Sequence, residues 1–164
     1  MAVRPVTPAD FDQVLAWRND AHTRAMSRRS QPLSLDQYQP EMENPEALFL
    51  IAEIRQSGGG SPVEAIGVVR FDPLPSSEPT VSEKPGFEVG INLAPSARGR
   101  GLAAPVLIAA VAAFRSVNTP RPFLHAEIRQ DNPASQRCFE RAGFRRVRQE
   151  AADLYYRFDY PSEG

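Results

Sequence analysis

Arg98-Gly99-Arg100-Gly101-Leu102-Ala103 sets two arginines and two glycines between a strand-like run and an apolar helix-like run. Glycines remove the side chains that would block an approaching ligand. A helix start supplies unpaired N–H groups and roughly half a positive charge. Arg98 and Arg100 can add charge-assisted contacts. The chemistry of such a turn is anion binding, phosphate above all. A nucleotide-triphosphate loop needs lysine and Ser/Thr after its last glycine. Leu102 and Ala103 follow Gly101, so that reading fails. Gly99, Gly101 and Ala104 match the dinucleotide spacing G-x-G-x-x-A. Those glycines should directly follow a strand, with an acidic residue ending the next one. Here Ala94-Pro95-Ser96-Ala97-Arg98 intervenes and Glu127 lies inside the next strand.

Glu88, just before Val89-Gly90, is a carboxylate that could accept a proton, or a surface strand residue. Cys138 is the only cysteine, which excludes an intrachain disulfide. No histidine adjoins it in sequence, so a buried, unreactive thiol is expected rather than a nucleophile. His22 and His125 are far apart and form no metal-ligand spacing, so no metal is expected. His125, in an apolar run, reads as a packed strand residue.

Lys84 is the only lysine, and arginines gather at Arg18 to Arg29 and Arg137 to Arg148. Most of them read as solvated surface charges. A formal net charge of -1 argues against a nucleic-acid partner. No apolar run approaches the roughly 20 residues that cross a bilayer, so no membrane partner is expected. The opening Met1-Ala2-Val3-Arg4-Pro5 lacks a signal peptide's apolar stretch, and a cytoplasmic location is expected.

These residues need elements to position them. The 164 residues, with 41% apolar, fit one domain with a real core. Val3 to Val6 reads as a strand. Thr7-Pro8-Ala9-Asp10 starts a helix carrying Phe11, Val14, Leu15 and Arg18 at helical spacing. Ser34 starts a second helix through Tyr38, with interference expected at Pro40. Leu48 to Ile54 and Ala65 to Phe71 form a hairpin around the glycine-rich 56–62 turn. Asp72 to Gly86 reads as a long loop and Phe87 to Leu93 as a strand. Leu102 to Phe114 is a helix, Phe123 to Ile128 a strand, and Asn132 to Arg141 a helix ended by Gly143. Phe144 to Val147 and Leu154 to Phe158 complete a strand pair. The order is mixed α/β, with hairpins at both ends.

Arg98-x-x-Gly101-x-Ala103 resembles the Q/R-x-x-G-x-G/A signature of the GNAT superfamily of N-acetyltransferases. Asn132-Pro133-Ala134-Ser135-Gln136-Arg137-Cys138-Phe139-Glu140-Arg141-Ala142-Gly143-Phe144 resembles that family's asparagine helix with its closing Gly-Phe. The resemblance covers nearly the whole element order. It implies a single GNAT-like domain over residues 1–164, with a mixed, mostly antiparallel sheet of about 6–7 strands. About four helices would flank the sheet, and a central strand pair would splay apart. It also implies acetyl-CoA as acyl donor, with pantetheine pairing to the backbone of Ile91 to Leu93. Arg98, Gly99, Arg100, Gly101, Leu102 and Ala103 would wrap the pyrophosphate, and Asn132 would contact the cofactor arm. Glu88 would be the general base, with Ser135 close to the cofactor. Phe139 stands where many members carry a tyrosine proton donor, so Ser135, water, Tyr155 or Tyr156 would have to substitute. Transfer would be direct.

Trp17-Arg18-Asn19 and the asparagine block resemble the branch of ribosomal-protein N-terminal and amino-sugar-nucleotide acetyltransferases. That resemblance implies Trp17, Arg18 and Asn19 near an amine acceptor, with Trp17 as core the competing reading. A non-catalytic acyl-CoA-binding regulatory module is the alternative function. The acceptor stays open, and so does a homodimer.

Overall fold

In the computed structural model, residues 1–56, 60, 62–75, 86–118, 121–147 and 154–161 are described. The tip of the expected 56–62 turn and most of the expected Asp72 to Gly86 loop fall outside them. Seven strands form one sheet: β1 (Ala2–Pro5), β2 (Leu48–Arg55), β3 (Val63–Pro73), β4 (Gly86–Leu93), β5 (Phe123–Arg129), β6 (Arg145–Arg146) and β7 (Tyr155–Asp159). Their order across the sheet is β1-β2-β3-β4-β5-β7-β6. Every neighbouring pair is antiparallel except β4 and β5. The helices are α1 (Phe11–Asn19), α2 (Ala21–Ala25), α3 (Leu35–Met42), α4 (Ala103–Val117) and α5 (Pro133–Arg141). None is long and apolar enough to cross a membrane.

Strand alternation sorts the side chains. On one face of β3 and β4, Phe71 and Phe87 pack on Phe114 of α4, with ring centroids at 4.2 and 5.0 Å. On the other face Arg70 lies between Phe49 of β2 and Gly90 of β4 as cross-strand partners. Tyr38 of α3 packs edge-on against Phe49 at 6.1 Å. α4 therefore covers one face and α3 the other. A polar group in the middle of a buried strand, Arg70, is delivered to the α3 side.

Local signals set most boundaries. Ser34 and Gln37 form a reciprocal capping box at α3. Asn132 accepts from the Ser135 N–H and caps α5. Two expectations are corrected. α3 runs through Pro40 to Met42. Proline removes one N–H from the ladder, and the capped start with buried Tyr38 and Met42 on the same short helix outweighs that loss. An unexpected helix, α2, follows α1 because the Asp20 carboxylate accepts from the His22 and Thr23 N–H groups.

The opening strand is locked to the first helix by charge. Arg4 donates two bonds to Asp10, at 2.7 and 2.8 Å, and one to Glu53 at 2.7 Å. Thr7 adds its N–H and hydroxyl to Asp10. The Arg4 bonds, opposed by burial, hold the Asp10 carboxyl at about 2, below its ordinary 3.8. A depressed carboxylate stabilises fully above its unfolded value and loses that contribution as pH falls through its folded one. Asp10→Asn should therefore cost about 1–2 kcal/mol at pH 7, since the partly exposed Arg4 weakens the pair. Most of the deficit should be lost by pH 2, and the remainder below it. Urea unfolding at both pH values checks this, and an equal deficit at both contradicts it.

Candidate active site

The β4–β5 ladder is short. Gly86 pairs with Phe123, Phe87 with Leu124 and Glu88 with His125, and there pairing stops although both strands run on. The orientation of the unpaired backbone follows from alternation. The Ala94 N–H donates to Ile66 and the Gly86 carbonyl accepts from Leu74, so even-numbered residues of β4 face β3. Ile91 and Leu93 therefore turn their N–H and C=O groups toward the gap. On β5, Leu124 and Gln130 bond toward β7, which turns the Glu127 backbone to the same gap.

A cavity of about 660 Å³ opens over this gap and reaches the starts of α4 and α5. Its phosphate-like end is the glycine turn. Gly99 and Gly101 have φ of 72° and 71°, a left-handed backbone that favours glycine. A Cβ added at either would meet nothing within 4 Å, so the turn faces open space. No side chain caps α4, and Pro105 in its first turn has no N–H to leave unpaired. These residues fit a phosphorylated ligand, and the unpaired edges of β4 and β5 fit an amide-bearing arm.

The remaining sequence-derived residues divide. Glu88, Ile91, Leu93, Arg98, Gly99, Gly101, Leu102, Ala103, Asn132, Ser135 and Arg18 all line the cavity. Arg98 also ties the turn to α2, donating to Asp20 at 2.7 Å and to the Thr23 hydroxyl at 3.2 Å. Arg100 does not line the cavity; it faces Glu64 at 3.4 Å. Trp17 is core, 5% exposed, and Asn19 clamps the backbone of Leu33 through both its amide atoms. Neither lines the cavity.

Glu88 makes no hydrogen bond or ion pair among the described residues. Burial pushes its carboxyl up, against the pull of Arg70. A carboxyl raised in this way is better matched to proton transfer near neutral pH than a solvated one. Phe139 is 3% exposed and packs edge-on against Phe144, a core role. Ser135 and Tyr155 line the cavity, whereas Tyr156 does not. Tyr155 lies under the Arg28 guanidinium, 3.8 Å from its ring centroid. Cys138 also lines the cavity, and burial pushes its thiol up, away from the reactive thiolate. No metal-binding group of His, Cys, Asp and Glu occurs among the described residues.

Sequence reasoning missed Tyr38, Arg70, Glu41 and Glu127 at the other end of the cavity. Arg70 carried a signal, a charge interrupting the apolar Ala65 to Phe71 strand. Its guanidinium bonds Asp72 at 2.9 Å and lies over Gly90, where an added Cβ would approach it to 2.8 Å. Glycine at position 90 gives Arg70 its room.

A sequence model of the acetyltransferase (GNAT) domain family matches residues 1–145. The fold is similar to the GNAT domain of S. lividans PAT, with 22% identity over 96% of this chain and 88% of that chain, at a TM-score of 0.73. It is similar to the spermidine N-acetyltransferase from Vibrio cholerae solved with CoA and spermine, with 15% identity over 96% and 92% and a TM-score of 0.68. It is also similar to the aminoglycoside acetyltransferase AAC(6')-Ib solved with coenzyme A and kanamycin, with 21% identity over 95% and 92% and a TM-score of 0.67. No curated protein matches the sequence. A family pattern reaching from residue 1 to 145, laid over a sheet split beside a glycine turn, settles the assignment: the chain belongs to the GNAT family of N-acetyltransferases.

Proposed function

We propose that the chain is a cytoplasmic enzyme that moves the acetyl group directly from acetyl-CoA to a primary amine, with Glu88 as the base. The observation that carries this is the position of Glu88. It is a carboxylate without an ion-pair partner among the described residues, in the cavity wall, on the last paired rung before β4 and β5 part. An alkylammonium, with a pKa near about 10, must lose a proton before it can attack a thioester. Glu88, directly or through water, takes that proton. The new N–C bond forms as the C–S bond breaks, and the electron pair leaves on sulfur. The unpaired N–H groups of Ile91 and Leu93 are suited to hold the arm and to stabilise developing negative charge on the carbonyl oxygen. Arg98, Gly99, Arg100, Gly101, Leu102 and Ala103 form the pyrophosphate turn. Asn132 fixes the start of α5, whose positive end favours a departing thiolate. Ser135, in the first turn of that helix and in the cavity wall, is the hydroxyl that returns a proton to sulfur in this reading.

The acceptor is a protein N-terminus, an amino sugar nucleotide or another small amine. Of Trp17, Arg18 and Asn19, only Arg18 reaches the cavity and is kept as an acceptor residue.

Two measurements check these roles. In wild type, kcat/KM should rise with pH through a value above the ordinary carboxylate range, because Glu88 must be ionised to act. Glu88→Gln should lower kcat by about 10²–10⁴-fold and remove that limb. An active variant with an unchanged profile refutes the base assignment. At the turn, Gly101→Ala should cost about 1–2 kcal/mol of stability through its left-handed backbone. Gly101→Asp, with a carboxylate at the anion site, should in addition weaken CoA binding by at least about tenfold, or about 1.4 kcal/mol. Calorimetric CoA titration of both variants separates strain from charge, and an Asp variant with wild-type affinity contradicts the turn's role.

A further inference from the structure

The cavity end beyond Glu88 holds an arrangement that acetyl transfer alone does not require. Arg18, Arg28, Arg29 and Arg70 line it together with Glu41, Glu88 and Glu127. Most of these charges are neutralised in pairs. Arg28 binds Glu127, Arg29 binds Glu41, and Arg70 binds Asp72. Two charges stay outside the pairing. Glu88 is one. Arg18, 7% exposed, is the other: among the described residues its guanidinium donates to the backbone carbonyls of Arg29 and Gln31, and no carboxylate lies within ion-pair distance. Two of its five N–H donors are thereby engaged. A buried guanidinium without a counter-charge is costly unless a ligand supplies one.

A second, independent observation points to the same place. Tyr38 is 2% exposed, yet among the described residues its buried hydroxyl has no hydrogen-bond partner. A buried hydroxyl left without a partner destabilises the fold, because it has given up its bonds to water. Its ring rests on Phe49, the cross-strand neighbour of Arg70, and it lines the cavity with Arg18 and Arg70. A hydroxyl donor and two guanidinium groups thus converge where no protein acceptor meets them all. A purely cationic acceptor would find only Glu88 unpaired and would have to break the Arg28–Glu127 or Arg29–Glu41 pair to gain another carboxylate.

We propose that the acceptor is an amine bearing an acidic group, a carboxylate or a phosphate, which seats against the Tyr38 hydroxyl, Arg18 and Arg70 while the amine faces Glu88. This rests on the acetyl-transfer reading for the amine end only. The acid end is recognised by the chain's own residues whether or not turnover follows.

Binding in the presence of CoA tests it, with matched probes. O-phosphoethanolamine is compared with ethanolamine for the phosphate arm, β-alanine with β-alaninamide for the carboxylate arm, and spermidine serves as the polycation. Tyr38→Phe is the informative variant, since it removes a hydroxyl that bonds nothing among the described residues and should fold normally; CoA affinity serves as its folding control. At least one acid-bearing probe should bind about tenfold or more tightly than its neutral partner, and Tyr38→Phe should remove most of that preference. Equal or tighter binding of the neutral amines or spermidine overturns the proposal, as does a preference that survives in Tyr38→Phe. Thiol release in the same mixtures reports separately on acetyl transfer. A Tyr38-dependent preference without turnover supports the acid site and counts against the transfer reading alone.

Discussion

The structure depends on one failure of pairing. β4 and β5 are the only parallel neighbours in the sheet, and they stay together for three residues before parting. Beyond that point backbone N–H and C=O groups of Ile91, Leu93 and Glu127 have no strand to meet. Buried backbone groups are rarely left without partners, because each orphan costs as much as a lost hydrogen bond. The gap is therefore held open from outside. α4, packed through Phe114 on Phe71 and Phe87, fixes β3 and β4 from one face. Antiparallel pairing with β7 holds β5 from the other side. A sheet anchored on both flanks can tolerate a split at its centre.

The split explains why the chemistry collects where it does. The last paired rung delivers Glu88, the far ends of β4 and β5 lead into the glycine turn and the Asn132 cap, and both following helices start at the cavity. Helix starts, unpaired strand edges and left-handed glycines are all backbone devices. They bind by position rather than by side-chain identity. That is how a chain 15–22% identical to solved acetyltransferases can keep the same framework. The acceptor end is different. There side chains dominate, arranged as arginine–carboxylate pairs with Arg18 and Glu88 left over, and such a surface can be rewritten without disturbing the gap.

What could be read from the sequence follows the same division. Ser34 and Asn132 as helix starts, the glycine turn, and the strands around Phe49, Val69 and Ile91 rest on neighbours a few residues apart, and all were legible. The split pair and the identity of the turn came through resemblance. α2 was missed because five residues carry too little periodicity, although Asp20 was a cap in plain view. Pro40 was over-weighted because its local cost was visible and the burial of Tyr38 and Met42 was not. The acceptor end was the least legible. Arg28 meets Glu127 across 99 positions, and the Tyr38 hydroxyl is significant only because nothing among the described residues bonds it. Trp17 and Asn19 show the reverse: a sequence block that resembles a branch of enzymes places one of its three residues at the cavity and sends the others to the core and to a loop clamp.

The most direct test of the central proposal, that the unpaired edge of β4 receives the acyl donor, is residue-resolved amide exchange with and without CoA. Ile91 and Leu93 N–H groups should be slowed strongly by CoA. The intervening Asn92, already turned toward β3, should change little. Slowing confined to other strands, or no alternation between Asn92 and its two neighbours, would contradict the account.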